Sequence, residues 1–233
     1  MSALLTGEEG EITMGNPDFL YFLYKLGMRM MTLTWNYENS LGFPNVRLDK
    51  KSSASSDRYC LSQNKGLKEQ GIVFLEEMER LGMIIDVSHL SDAGFYDVLE
   101  HTTKPFVASH SNARSVCPAV RNLTDDMVRR LAERGGITGI NFCKEFLGKP
   151  DVSQNYLDQA VVHMKYLMNL GGEDFVALGS DFDGITRYHD LSDCSVMPKL
   201  VHTMKKAGLT RLRSKKSVIK TPYVSIVNCY NFK

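Results

Sequence analysis

The chain has 233 residues, of which 43% are hydrophobic, so it can bury a sizeable core in one large domain or in two smaller ones. Its net charge of +1 gives no whole-chain argument for nucleic acid or for an anionic membrane, and neither partner is expected. The charge is unevenly distributed, because the last acidic residue is Asp193 and residues 194–233 contain nine basic residues and no acid.

The cysteines argue against a disulfide framework. There are five of them, an odd number without CxxC spacing, which also disfavours a thiolate zinc site. Reduced thiols in the cytoplasm are the simplest interpretation. No segment approaches the roughly 18 apolar residues of a transmembrane helix, and residues 1–12 lack the basic start and long apolar stretch of a signal peptide.

Apolar runs alternate with amphipathic stretches along the chain. Five runs rich in β-branched residues predict strands at 28–35, 83–89, 105–110, 135–142 and 174–181. Apolar residues at helical spacing predict helices at 69–82, 123–136, 153–172 and 197–208. Gly82 and Gly135 are expected to end the first two helices, and Thr124 to cap the start of the second. This alternation predicts βαβ units and a parallel sheet.

Two segments do not follow this alternation. Residues 47–66 are polar and Ser-rich, which predicts a long exposed excursion between a strand and a helix. The segment from Leu212 onward has no acid and no clear period, and it does not continue the preceding helix. We therefore expect a main domain over residues 1–210 and a divergent basic tail over 211–233.

Polar side chains follow several of the predicted strands. His89, His110 and Asp181 each come where an apolar run ends, and the carboxyl ends of parallel strands are where catalytic side chains gather. Neutral imidazole and carboxylate suit zinc, and a site with an open position for water is catalytic. The alternative is that each histidine is a hydrogen-bonded core or rim residue. Glu9 ends another short apolar run, although Glu8, Glu9 and Glu11 taken alone are more often a solvated turn.

Three stretches carry a specific resemblance. Residues 81–100, 104–136 and 179–184, with the preceding stretch 24–42, resemble the membrane dipeptidase (renal dipeptidase) family of zinc metallopeptidases in its prokaryotic form. The resemblance covers about residues 3–210 in unbroken order. It implies a TIM-like (β/α)8 barrel of the metal-dependent hydrolase type, with two zinc ions, that hydrolyses dipeptides.

The resemblance also implies roles for individual residues. Glu9 corresponds to the carboxylate that bridges the two metals, and His89 and His110 correspond to ligands of the second zinc. Arg121 matches the arginine that binds the carboxylate of the substrate, a task suited to paired guanidinium donors. Asp181 matches the catalytic acidic residue that exchanges a proton with the water or the leaving amine and contacts the substrate.

The chain departs from the family pattern in several ways. The His-x-Asp ligands of the first zinc would lie upstream of Met1, so the barrel is expected to be incomplete, with its first strands missing, and to bind at most one zinc ion. Trp35 stands where some members have a histidine near the substrate, and Cys143 where some have a tyrosine. The resemblance implies a closing helix after residue 210, where the sequence instead has the basic tail.

These observations predict a zinc-dependent dipeptidase that uses metal-activated water. The alternative is a truncated, weakly active or inactive remnant that binds one metal ion or peptide termini without turnover. An unrelated TIM-barrel lyase or phosphate-handling enzyme is disfavoured, because no Gly-rich phosphate loop lies near the last strands. The oligomeric state is open, with a homodimer as one candidate.

Overall fold

The apolar runs form parallel strands in a computed structural model that describes residues 3–48, 59–61, 65–151, 155–186 and 190–209. The strands are β1 (Leu5–Glu8), β2 (Met28–Thr32), β3 (Val46–Leu48), β4 (Tyr59–Leu61), β5 (Ile84–Asp86), β6 (Val107–Ala108), β7 (Ile137–Ile140) and β8 (Val176–Leu178). The helices are α1 (Pro17–Lys25), α2 (Glu69–Leu81), α3 (Asp92–His101), α4 (Asp125–Glu133), α5 (Lys144–Leu147), α6 (Tyr156–Gly171) and α7 (Met197–Lys206). Short 3₁₀ helices cover Gly10–Thr13 and Cys194–Val196.

Six of these strands form one sheet in the order β1-β2-β5-β6-β7-β8, and β3 pairs with β4 in a separate antiparallel pair. The α/β class with a parallel sheet is therefore confirmed. Among the described residues, β1 and β8 are edge strands, so the sheet is open, as expected for an incomplete barrel. Contact density divides the chain into two compact units, residues 1–107 and 108–233, which are described separately below.

The first unit places β2 between β1 and β5, in parallel register on both sides. Helix α2 packs against α1, α3 and β5, because one face of this helix is apolar and the other is charged. The core is formed by fully buried side chains that include Leu20, Met31, Phe74 and Leu75. The carboxyl ends of the three strands therefore rest on a packed layer.

The second unit pairs β7 with β8 and packs α6 against α4, α5 and α7. Two glycines allow a close approach of the backbone beside the end of β6. A Cβ atom added at Gly139 or at Gly179 would lie 2.0 Å from the carbonyl oxygen of Ser109, so neither position can carry a side chain without moving the backbone. Ser109 immediately precedes His110, so this close packing fixes the position of the backbone that leads into His110.

Local capping explains where several helices begin and end. The Thr124 side chain accepts a hydrogen bond from the backbone N–H of Met127, as predicted, and Ser91 caps α3 in the same way. Gly82 ends α2 in the left-handed conformation with φ 72°, which confirms the predicted stop. A reciprocal capping box between Asn155 and Asp158 begins α6.

Two sequence expectations are partly or wholly outside the described residues. The polar excursion at 47–66 contributes the short strands β3 and β4, which the sequence interpretation treated as a loop, and its remaining residues before 65 lie outside the described part. The boundary expected near residue 210 and the basic tail also lie outside it. Among the helices that the structure describes, none has the length and apolar character needed to cross a membrane.

Candidate active site

The candidate site is built at the carboxyl ends of the parallel strands. Glu8 is the last residue of β1, His89 lies three residues beyond the end of β5, and His110 lies two residues beyond the end of β6. Asp181 lies three residues beyond the end of β8. The carboxyl ends of parallel strands are where catalytic and ligand-binding side chains gather.

Within the first unit, Glu8 and His89 are in direct contact. The Oε1 atom of Glu8 lies 3.1 Å from Nε2 of His89, and His89 is 6% exposed. The other ring nitrogen, Nδ1, lies 2.9 Å from the side-chain oxygen Oδ1 of Asn36. An amide oxygen can only accept, so Nδ1 carries a proton that it donates to Asn36. In the neutral ring, Nε2 then presents its lone pair toward the Glu8 carboxylate.

This arrangement brings two electron-rich atoms within 3.1 Å of each other. Such a contact is favourable only when a cation lies between the two atoms or when the ring gains a second proton. An outer hydrogen bond that fixes the tautomer and leaves the facing nitrogen available is the usual environment of a histidine that ligates a metal. Glu8, His89 and Asn36 therefore have the donor set and the orientation of part of a metal site.

The turn that leads to His89 is held by a buried carboxylate. Asp86, the last residue of β5, is fully buried and accepts hydrogen bonds from the Thr32 hydroxyl at 2.6 Å and from the Ser88 backbone N–H at 3.0 Å. These bonds tie the end of β5 to the end of β2 and direct the chain into the left-handed backbone conformation of His89, with φ 69°. The imidazole is positioned by the ends of two strands rather than by a loose loop.

In the second unit, His110 is 2% exposed and its Nδ1 lies 2.7 Å from the Ser109 hydroxyl oxygen. Glu8 and His89 in the first unit and His110 in the second are therefore side chains of metal-ligating type at or just beyond the ends of parallel strands. Two imidazoles and a carboxylate match the ligands preferred by zinc.

The carboxylate that faces His89 within the first unit is Glu8 and not Glu9, the residue that the sequence interpretation named as a ligand. Glu8 is the last residue of β1, whereas Glu9 has φ 96° and leaves the strand in a different direction. The Glu9 carboxylate accepts hydrogen bonds from the backbone N–H of Trp35 at 3.2 Å and from Nδ2 of Asn39 at 2.5 Å. Glu9 thus orders the loop after β2, which also carries Asn36.

Arg121 is a buried cation in the second unit, with 2% exposure. Its guanidinium donates to the Ser111 hydroxyl at 3.5 Å and to the His110 carbonyl at 3.4 Å, both at the long end of the hydrogen-bond range. The guanidinium carbon lies 5.4 Å from the centre of the Phe146 ring. Long bonds and an aromatic contact hold the group while leaving it suited to a stronger, charge-assisted bond with a carboxylate.

Asp181 is oriented by an amide that also contacts the His110 segment. Nδ2 of Asn141 donates to Oδ2 of Asp181 at 3.1 Å and lies 3.4 Å from the His110 carbonyl oxygen. Asn141 directly follows β7, so the strand-end pattern that selected the histidines also applied to it, although the sequence interpretation passed it over. The missed residues of the site are Glu8, Asn36 and Asn141.

Three residues of the site have a backbone conformation that non-glycine residues rarely adopt. Glu9, His89 and Asp181 have φ values of 96°, 69° and 62°, and Met14 is the only other non-glycine residue with positive φ in the described part of the chain. Such conformations cost on the order of 1 kcal/mol or more and persist where the surrounding structure enforces them. All three lie within three residues of the carboxyl end of a strand.

The two residues that depart from the family pattern also lie near these groups. The Trp35 ring lies 6.2 Å from the His89 ring and 5.5 Å from the Tyr37 ring, measured between centroids, and Trp35 is 37% exposed. Burial raises the pKa of the Cys143 thiol to about 12, and a hydrogen bond to Glu145 together with repulsion from the Glu145 and Asp181 carboxylates adds to the effect. A thiol with this pKa is protonated at neutral pH and is therefore a weak nucleophile.

A parallel sheet with polar side chains at its strand ends is typical of α/β enzymes, whose active sites lie at the carboxyl ends of the strands. Within that class, residues 1–218 match the family model of membrane dipeptidase (peptidase family M19). The chain belongs to this family of metallopeptidases.

Individual relatives agree with the family assignment. The chain is 39% identical over 196 residues to an uncharacterized protein in the pqqA 5' region of Klebsiella pneumoniae, covering 83% of this chain and 69% of that protein. It is 37% identical to an uncharacterized dipeptidase of Schizosaccharomyces pombe, covering 76% and 41%. A solved metallopeptidase from Rhodobacter sphaeroides, liganded with a phosphinate mimic of the dipeptide L-Ala-D-Ala, is 32% identical with a TM-score of 0.76, covering 88% and 57%. The chain thus spans only part of each relative.

Proposed function

We propose that this chain is part of a zinc-dependent dipeptidase in which Glu8, His89 and His110 hold a zinc ion. The observation that carries the proposal is the Asn36–His89–Glu8 arrangement, in which a proton on Nδ1 leaves Nε2 facing a carboxylate 3.1 Å away. Zinc fits this donor set, because borderline nitrogen and hard oxygen ligands are its usual partners in hydrolases. Three ligands favour one tightly bound zinc ion in this chain.

When bound, zinc would lower the pKa of a water molecule toward roughly 7 and polarise the scissile carbonyl. The remaining tasks belong to the residues of the chain. Glu8 supplies the negative charge that balances the ion, and Asn36 keeps the His89 ring in the tautomer that presents Nε2. Glu9 orders the loop that carries Asn36 through its bond to the Trp35 backbone.

Arg121 is proposed to bind the free carboxylate of the substrate. Its burial supports this role, because a guanidinium removed from water gains most from a bidentate, oppositely charged partner. Recognition of a terminal carboxylate would restrict the enzyme to short peptides whose chain ends beside the scissile bond. The mimic bound to the Rhodobacter sphaeroides relative suggests L-Ala-D-Ala as a dipeptide to test here.

Asp181 is proposed to exchange a proton with the attacking water or the leaving amine. Asn141 holds one of its carboxylate oxygens, which fixes the plane of the carboxylate. Both a general base and a general acid must lie within hydrogen-bond reach of the atoms that gain or lose the proton, so a fixed orientation is required for either task. The left-handed backbone of Asp181 supports a positioned group rather than a surface carboxylate.

A cytoplasmic location is also proposed, supported by the free cysteines among the described residues, Cys117, Cys143 and Cys194. A homodimer stays a prediction. The alternative function is a chain that binds one metal ion without turnover. It is favoured by the number of ligands proposed for this chain, three, since a single ion offers less activation than a pair.

A metal titration followed by an activity assay tests the proposal. The chain has one tryptophan, Trp35, and its ring lies 6.2 Å from the His89 ring, so its fluorescence reports directly on this site. We expect Co²⁺ to quench this fluorescence at about one equivalent and Zn²⁺ to reverse the quenching by competition. Absence of quenching in the folded chain would contradict the metal site.

Hydrolysis then separates the two functions. The zinc-loaded chain is incubated with Gly-Leu and with L-Ala-D-Ala, and release of free amino acids is measured against an Asp181→Asn variant as the matched control. Zinc-dependent turnover that Asp181→Asn removes supports the dipeptidase. Tight zinc binding without turnover in the wild type supports the binding-only alternative.

A further inference from the structure

His163 is a fully buried titratable residue that the proposed chemistry does not use. It lies in α6, and both of its ring nitrogens are bonded to backbone groups. The Ala113 N–H donates to Nδ1 at 3.1 Å, and Nε2 lies 3.0 Å from the Leu147 carbonyl oxygen. Because an N–H can only donate and a carbonyl can only accept, His163 has its proton on Nε2 and accepts at Nδ1. Burial lowers the pKa of His163 to about 4, so the neutral ring persists at neutral pH.

The hydrogen bond at Nδ1 of His163 connects this ring, through the loop that begins at Ala113, to the backbone on both sides of Arg121. Ala113 begins a loop whose next residue, Arg114, turns its guanidinium inward. Nε of Arg114 donates to the Asn122 carbonyl at 2.7 Å, and Nη2 donates to the Val120 carbonyl at 2.9 Å. Arg114 directly follows Ala113, which is bonded to His163. Arg114 therefore fixes the carbonyl groups of the two neighbours of Arg121 in the chain.

The bond at Nε2 leads to the side chain of Arg121. Leu147 is the last residue of the short helix α5, and Phe146 beside it places its ring 5.4 Å from the Arg121 guanidinium carbon. The Phe146 carbonyl also accepts from Nδ2 of Asn122 at 2.8 Å. One imidazole thus fixes two segments, one of which holds the backbone of Arg121 and the other its guanidinium.

We infer that His163 is a positioning residue that holds Arg121 in the orientation needed to bind the carboxylate of a dipeptide. This inference rests on the proposed role of Arg121. A histidine that served only the core would need no particular pair of partners, and an apolar side chain would avoid the cost of burying an imidazole. The two bonds of His163 instead end on segments that both meet at Arg121.

Three variants of His163 separate the two bonds. His163→Leu removes both. His163→Asn offers an amide oxygen near the Nδ1 position and can keep the bond from Ala113, whereas His163→Gln offers an amide nitrogen near the Nε2 position and can keep the bond to Leu147. Leu167→Val is the matched control, because Leu167 lies on the same helix and is fully buried but makes no hydrogen bond through its side chain.

The first readout is kinetic, in the zinc-loaded chain with Gly-Leu and its C-terminal amide. We expect His163→Leu to raise KM for Gly-Leu roughly tenfold, with kcat and zinc affinity changed less than about twofold, and to leave the amide substrate unaffected, since only the carboxylate contact is displaced. His163→Asn and His163→Gln should each recover part of the loss. An equal rise in KM in Leu167→Val would show that lost stability, rather than positioning, is responsible.

The second readout does not depend on activity. In protein labelled with ¹⁵N-arginine, the Nε–H signal of Arg121, assigned with Arg121→Lys, should shift or broaden in His163→Leu and stay in place in Leu167→Val. If the wild type hydrolyses no dipeptide, the proposed function fails but this signal still decides the role of His163. If His163→Leu does not fold, the Asn and Gln variants carry the same comparison. An unchanged Arg121 signal and unchanged KM in the folded variants would overturn the inference.

Discussion

The two units of the chain hold their candidate functional groups in different ways. Around His89 in residues 1–107, side chains hold the ring: Asn36 bonds to His89, and His89 meets Glu8. Around Arg121 in residues 108–209, side chains hold the backbone: Arg114, His163 and Asn122 bond to carbonyls or N–H groups around the loop that carries Arg121.

This difference matches the tasks proposed for the two units. A metal ligand must present one atom with its lone pair in a fixed direction, and a single hydrogen bond to the far side of the ring achieves that. A group that binds a carboxylate must hold a planar fork of donors, which requires that the whole segment be fixed. Zinc affinity should thus be sensitive to the loss of a single hydrogen-bonding atom. Carboxylate binding by Arg121 should instead be sensitive to the stability of its loop.

The largest expected effect separates the two adjacent glutamates of the first unit. Glu8→Gln should weaken zinc binding more than about a hundredfold, because it removes a charged ligand, which is beyond the range typical of outer hydrogen-bond partners. Glu9→Gln should weaken it less than about tenfold, since its amide oxygen can still accept from Trp35. Zinc competition against Co²⁺-quenched Trp35 fluorescence measures both affinities. The reverse order would return the ligand role to Glu9.

The next effect concerns the backbone network of the second unit and its dependence on pH. The pKa of His163 is lowered from 6.5 to about 4, mainly by burial, while its bond to the Leu147 carbonyl acts in the opposite direction. The unfolded chain therefore binds the proton more readily than the folded chain. The stabilisation is fully present above about pH 6.5 and is lost as the pH falls toward 4, with a maximum loss of roughly 3 kcal/mol.

Urea unfolding between pH 7 and pH 4.5 checks this expectation. His163→Gln cannot titrate, so the free energy of unfolding of this variant should fall less steeply with pH than that of the wild type. The other titratable groups contribute equally to the pH dependence of unfolding in both proteins. The difference between the two curves therefore gives the contribution of His163. Parallel curves would mean that the imidazole is already solvated in the native chain.

A smaller effect is expected at Arg121. Arg121→Lys should raise KM for Gly-Leu roughly thirtyfold, which corresponds to about 2 kcal/mol, because an ammonium cannot reproduce the paired donors of a guanidinium. Zinc content should not change, since the variant touches no ligand. The kinetic assay is paired with zinc analysis of the same preparation. Normal KM in this variant would place carboxylate recognition on another residue.

Most strands and helices of the described chain could be predicted because their signals are local. Apolar β-branched runs marked β2, β5, β7 and β8, and Thr124 and Gly82 marked the limits of helices through capping groups that act within one turn. The two histidines could be proposed as site residues for a similar reason, since each lies two or three residues beyond the end of a strand. A structural role can be predicted from the sequence where a given residue type at a given position has one common physical reason to be there.

Two features of the site could not be read in this way. The choice between Glu8 and Glu9 depends on which residue leaves the strand with φ 96°, and two identical neighbours give no sign of that. The network around Arg121 uses backbone carbonyls and N–H groups, which every residue has, so Arg114 and His163 look like ordinary charged and core positions in the sequence. Only the tertiary structure shows where these groups meet.

The smallest predicted effect tests whether the first unit truly depends on the orientation of single atoms. Asn36→Ala should weaken zinc binding roughly tenfold, because the His89 ring would lose the acceptor that keeps its proton on Nδ1. Asn36→Asp is the matched control, since a carboxylate at this position still accepts from Nδ1 and should keep or strengthen the affinity. Competition against Co²⁺ measures both variants, and two-dimensional ¹⁵N NMR of the histidine rings reports the tautomer directly. Equal affinities in the alanine and aspartate variants would mean that His89 is oriented by packing alone, and the proposed contrast between the two units would lose its basis.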